Sequence, residues 1–122
     1  QSLGRVEVIN AIEGKEYTGI VATIKTRDEL ERLRTTIAGY RRELKTLGAT
    51  VESEESTLEK YMDKLDKLKR QERYEDYNDL VEEYNDLAAK LKKHITAYNA
   101  LVIKSNAAIQ RYNTLGKSFY AD

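Results

Sequence analysis

From Leu30 almost to the end of the chain, apolar residues recur with alternating steps of three and four, and no proline interrupts them. That spacing is the heptad signature of helices packed along a narrow seam, and without proline nothing breaks the backbone hydrogen-bond ladder. Heptad a falls on Leu30, Ile37, Leu44, Val51, Leu58 and Leu65, and heptad d on Leu33, Tyr40, Leu47, Glu54, Tyr61 and Leu68. A second series has Tyr74, Val81, Ala88, Ile95, Val102 and Ile109 at a, with Tyr77, Tyr84, Leu91, Tyr98, Ser105 and Tyr112 at d. Only Glu54 and Ser105 are polar, so chance does not account for the pattern.

The two series are out of phase. Continuing the first would place the next seam positions on Glu72 and Glu75, whereas the second starts on Tyr74. Coiled coils absorb insertions of three or four residues, and this offset is neither, so it marks a break between two helices. The polar run Lys69-Arg70-Gln71-Glu72-Arg73 supplies an αα-hairpin loop of ordinary length. Folding back at Gln71 sets Leu68 against Tyr74, Leu65 against Tyr77, Tyr61 against Val81, Val51 against Leu91, Leu47 against Ile95, Ile37 against Ser105 and Leu30 against Tyr112. Each seam tyrosine then meets an aliphatic residue, and Glu54 meets the small Ala88, leaving space for its carboxylate to escape. The expected fold class is mainly α, a long antiparallel two-helix coiled-coil hairpin with arms on the order of 60 to 65 Å.

Domain boundaries follow from local signals. Residues 1–25 carry strand formers, Val6-Glu7-Val8-Ile9 and Tyr17-Thr18-Gly19-Ile20-Val21-Ala22-Thr23-Ile24, around a turn at Glu13-Gly14-Lys15, which predicts a small N-terminal β-hairpin base. Thr26-Arg27-Asp28-Glu29 has the spacing of a capping box and opens the first helix. Leu115-Gly116 places a glycine where a helix C-terminus is expected, so residues 26–115 read as the hairpin and 116–122 as a tail.

Charge is organised, although 21 basic and 21 acidic side chains cancel. Lys60, Lys64, Lys67, Lys69 and Arg70 close the first helix, while Glu72, Glu75, Asp76, Asp79, Glu82, Glu83 and Asp86 open the second. Both sets suit the helix macrodipoles and face each other across the tip, where Arg73 also lies. A charged tip of this kind, Lys67, Lys69, Arg70, Glu72 and Arg73, suits docking to a complementary protein better than holding an unfolded one.

The flanks of the seam differ. Leu80, Leu87, Leu101 and Ala108 extend the apolar stripe of the second helix along heptad g, broken only by His94, and the adjoining flank of the first helix is small: Thr36, Gly39, Thr46, Thr50, Ser53 and Thr57. This side reads as a docking face on which a second hairpin forms a homodimer, with Gly39, Thr46 and Thr50 admitting a close helix. The alternative is that the leucines fold over the seam within one hairpin. Along heptad e lie Asn78, Asn85, Asn99, Asn106 and Asn113, either solvated or bonded across to Arg34 and Arg41.

The tract Tyr77-Asn78-Asp79-Leu80-Val81-Glu82-Glu83-Tyr84-Asn85-Asp86-Leu87, echoed at Tyr98-Asn99-Ala100-Leu101-Val102 and Tyr112-Asn113-Thr114-Leu115, resembles the YNxLV repeats of coiled-coil segments in exported bacterial proteins, some attached to matrixin-like metalloproteases. The resemblance covers residues 74–113 and implies an extracytoplasmic spacer, periplasmic or secreted. It carries over no catalytic residue, since HExxH is absent.

Chemistry is sparsely provided. With no Cys and a single His, thiolate nucleophiles, disulfides and cysteine zinc sites are excluded. His94 has no carboxylate four residues on to complete a metal pair, and it reads as a structural residue. Lys90, Lys92, Lys93 and Lys104 form a modest basic stretch that reads as a solvated face in a neutral chain, not as a nucleic-acid site. No run of apolar residues is long enough to cross a bilayer, so membrane insertion is not expected. The expected function is a non-catalytic structural or interaction module without cofactor or metal. It serves as a rigid spacer or oligomerisation arm, or alternatively as a client- or partner-binding arm, adaptor- or holdase-like, acting through its charged tip. The missing initiator Met fits a processed protein or an excised piece.

Overall fold

The computed structural model describes Leu3, Gly4 and residues 24–120. Two α-helices, α1 (Ile24–Arg70) and α2 (Tyr74–Tyr120), pack against each other as a helical hairpin. No strand occurs among the described residues. The expected β-hairpin within residues 1–25 lies outside them except at its end, where Ile24 and Lys25 are the first residues of α1 and not the close of a strand.

Both outer helix ends differ from expectation. Because α1 starts at Ile24, Thr26 sits inside the first turn and is not the residue that precedes the helix. At the other end α2 runs through Gly116 to Tyr120, so no separate tail begins at residue 116, and Ser118-Phe119-Tyr120 are helical. The reason is positional. Gly116 continues the a series one heptad beyond Ile109 and is buried, so tertiary packing outweighs the roughly 1 kcal/mol by which glycine disfavours a helix interior.

The turn lies where the phase break places it, and its backbone explains how a polar stretch without glycine reverses direction. The Arg73 amide donates to the Leu68 carbonyl at 3.0 Å and the Glu72 amide to the Lys69 carbonyl at 3.1 Å. These two bonds are the Schellman pattern, with Glu72 in the left-handed region at φ 57°. Arg73 then caps α2, its carbonyl accepting the Tyr77 amide at 2.9 Å. One residue thus ends the first helix's bonding and starts the second's, and the offset of the two heptad series follows.

The chain divides into two compact units. One holds Lys45–Tyr98 with Gln1–Leu3 and contains the turn. There Val51, Leu68, Leu80 and Ile95 are buried, and the α1 backbone passes close to α2 at Gly48, where an added Cβ would meet Tyr98 Cε2 at 3.4 Å. The other holds Gly4–Leu44 with Asn99–Asp122. Its core gathers Ile37, Ile109 and Tyr112, with Leu30, Leu33 and Ala108 packed against them. Arg34 closes this core by donating to the Tyr112 hydroxyl at 3.1 Å, and Arg111 pairs with Glu29 at 2.8 Å.

Burial follows the heptads closely. Every a and d position named above is buried or half-buried except Tyr74, which is 59% exposed. Helical side chains lean toward their own N-terminus, and at the first residue of α2 that direction leads off the end of the helix. Ser105 is fully buried and its hydroxyl has no partner among the described residues. A buried polar atom in that condition costs about 1 to 3 kcal/mol, so the second break in the apolar pattern is a weak point of the core.

Glutamate is strained in the left-handed region, whereas glycine is not. Glu72→Gly is therefore expected to raise the stability of the chain by about 0.5 to 1 kcal/mol, read as a higher urea midpoint at unchanged slope. A lower midpoint would contradict the geometry assigned to the turn.

Candidate functional site

The features on offer are surfaces, namely the tip and the two flanks of the seam. At the tip Lys67, Lys69, Arg70, Glu72 and Arg73 are all exposed. Arg73 is tied to Asp76 one turn into α2, and Arg70 Nε donates to the Asp66 carbonyl at 3.4 Å. The sequence predicts a charged tip, and the last turn of α1 together with the loop presents these five side chains to solvent.

The g flank is divided between core and surface. Leu80 is 6% exposed and belongs to the interior of its own chain, as the fold-over alternative has it, so it is not an open docking residue. In the unit carrying the turn, Leu87 and Thr50 are half-buried and Thr46 is exposed. Thr46 and Thr50 line a shallow, open depression with Lys45, Ala49, Ser53 and Glu54. In the other unit Leu101 and Gly39 are half-buried, and Ala108, also half-buried, packs on the Ile37–Ile109 core. A Cβ at Gly39 would meet nothing nearer than Arg42 Nη2 at 3.9 Å. Two threonines of this flank spend their hydroxyls on their own helix, Thr50 donating to the Thr46 carbonyl at 3.2 Å and Thr57 to the Ser53 carbonyl at 3.0 Å.

His94 has a partner that the sequence reading missed. Its Nδ1 lies 2.7 Å from Glu54 Oε1, with side chains 36% and 13% exposed. Glu54 thus does not simply escape past Ala88; it leaves the d position sideways and ends on the imidazole. In antiparallel helices the N-terminal lean of side chains runs in opposite senses, so residues offset along the two helices converge. The two polar interruptions, Glu54 in the seam and His94 in the g row, answer each other. A periodicity search along one helix at a time gives no signal for such a pair. Among the described residues no group of three His, Cys, Asp or Glu side chains is placed to hold a metal ion.

The e flank carries the asparagines. Asn78 and Asn85 are exposed. Asn99 Oδ1 accepts from the backbone amide of Gly4 at 2.7 Å, and Asn113 Oδ1 is shut off from solvent without a donor among the described residues. Arg34, a suggested partner for this row, donates to the Tyr112 hydroxyl. Beside Asn85 a shallow depression is lined by Ala88, Leu91, Lys92 and Ile95.

No family model matches the chain, and neither a curated protein nor a solved structure shows significant similarity to it. No helix among the described residues is long and apolar enough to cross a membrane.

A double-mutant cycle measures the Glu54–His94 pair. Glu54→Ala and His94→Ala should each destabilise the chain, with a coupling on the order of 1 kcal/mol in denaturant melts. Additive effects would mean that the two side chains do not act together.

Proposed function

We propose that this chain is a non-catalytic structural and interaction module, a helical hairpin that serves as a spacer and docks a further helix, in the first place a second copy, along the g flank. The observation that carries the reading is the graded burial of that row. Leu80 is consumed by the chain's own core, while Leu87 and Leu101 are left half-buried. A half-covered leucine gains further burial from an approaching helix, at about 25 cal/mol per Å² of apolar surface removed from water, and small residues let that helix come near. The YNxLV-like repeats of α2 support an exported bacterial spacer, periplasmic or secreted, as the setting.

A second reading is favoured by the tip. Lys67 and Lys69 stand exposed on the last turn of α1, next to a turn whose backbone bonds are satisfied internally. In that reading the arm captures an acidic protein surface through these cations, and the helices only hold them in place.

Sedimentation separates the two. Under the first reading the chain sediments as a dimer, and Leu87→Glu with Leu101→Glu converts it to monomer without loss of helicity by circular dichroism. A wild type that stays monomeric at high micromolar concentration removes the docking flank. Charge reversal by Lys67→Glu, Lys69→Glu and Arg70→Glu leaves self-association intact under the first reading and abolishes partner capture under the second.

A further inference from the structure

The Asn-x-x-Val element of the repeat appears twice on α2, at Asn78–Val81 and Asn99–Val102, and the structure shows what the latter holds. The Gly4 amide donates to Asn99 Oδ1 at 2.7 Å. The Gly4 Cα lies over Val102 so closely that an added Cβ would fall 3.3 Å from Val102 Cγ1 and 3.4 Å from Asn99 Oδ1. The pair therefore reads polypeptide backbone at a residue without a side chain. Val102 beneath it is buried.

At the other instance the same side chains stand at the same helical spacing and are open. Asn78 is exposed and Val81 only half-buried. One heptad further, Asn85 is exposed beside Ala88 and the shallow depression formed with Leu91, Lys92 and Ile95. We propose that Asn78–Val81 and Asn85–Ala88 form a docking track for an extended, glycine-bearing segment of a partner polypeptide.

Spacing and chemistry agree with that occupant. A heptad of helix advances about 10.5 Å, close to three residues of extended chain at about 3.3 Å each. Successive asparagines thus face an N–H and then a C=O, since extended backbone alternates in orientation. A carboxamide both donates and accepts, so the same residue type serves both, which neither aspartate nor lysine does. The residues that follow each asparagine, Asp79 and Asp86, are exposed and acidic, while Lys92 lines the depression beyond Asn85, so the recognition rests on backbone and not on charge. This track lies on the flank opposite the helix-docking leucines and does not depend on them.

The test uses a synthetic peptide of residues 1–10 of this chain, in which Arg5 directly follows Gly4, added to the full-length chain while the side-chain amide resonances of Asn78, Asn85 and Asn99 are followed by NMR. Those of Asn78 and Asn85 should shift saturably. Affinity should fall by roughly tenfold for the peptide carrying Gly4→Val and by a similar factor for the chain carrying Asn78→Leu with Asn85→Leu. Shifts absent at millimolar peptide, shifts confined to Asn99, or equal binding of the valine peptide would each overturn the proposal.

Discussion

Closure of an apolar stripe on itself is the constraint on which the rest of this molecule depends. With 34% of its residues charged and 40% hydrophobic, the chain has little apolar surface to spend, and the a and d rows gather most of the large apolar side chains of the two helices. A single amphipathic helix would leave that stripe in water. Folding back covers it with its own complement, and Ile37, Val51 and Ile109 end at 2% exposure or less. Dispersion and the hydrophobic effect favour this arrangement in proportion to the area covered, while the helices satisfy their backbone polar groups internally. Charged residues are left for the outer faces, where solvation keeps them at little cost.

The turn converts this general tendency into one register. Only Gln71, Glu72 and Arg73 separate the helices, and the two crossed amide bonds at Leu68 and Lys69 fix how α1 ends. The strained left-handed backbone at Glu72 is held because a slip would expose both seams. Polar departures from the pattern then act locally. Ser105 takes up little volume at the cost of an unpartnered hydroxyl, and Glu54 is matched by His94. A neighbour in space thus compensates one exception in the heptad pattern and leaves the other as a defect.

Much of the architecture could be read from the residues. The seam was legible because its period extends over two long series, and the turn because their phases disagree at Tyr74. Helix ends were less so. The signals at Thr26 and Gly116 are local, and packing of the adjoining turns overrides them, Gly116 by occupying a buried a position. The Glu54–His94 contact and the seat of Gly4 on Asn99 were illegible for a different reason. Each joins residues far apart in sequence through the direction in which side chains lean, which one-dimensional periodicity does not contain. On the surfaces, the charged tip was plain from composition. The division of the leucine row into an interior Leu80 and half-covered Leu87 and Leu101 depends on depth within the hairpin and needed coordinates.

The most direct measurement of the reversal itself is an isotope-filtered NOE between the Tyr98 ring and the Gly48 α-protons, which the close approach of Tyr98 Cε2 to the Gly48 backbone brings together. In a sample of labelled chain diluted into unlabelled chain, the account predicts a cross-peak that persists within single molecules at full relative intensity. A cross-peak that appears only between differently labelled molecules would mean that the helices pair with neighbours and that the chain does not double back.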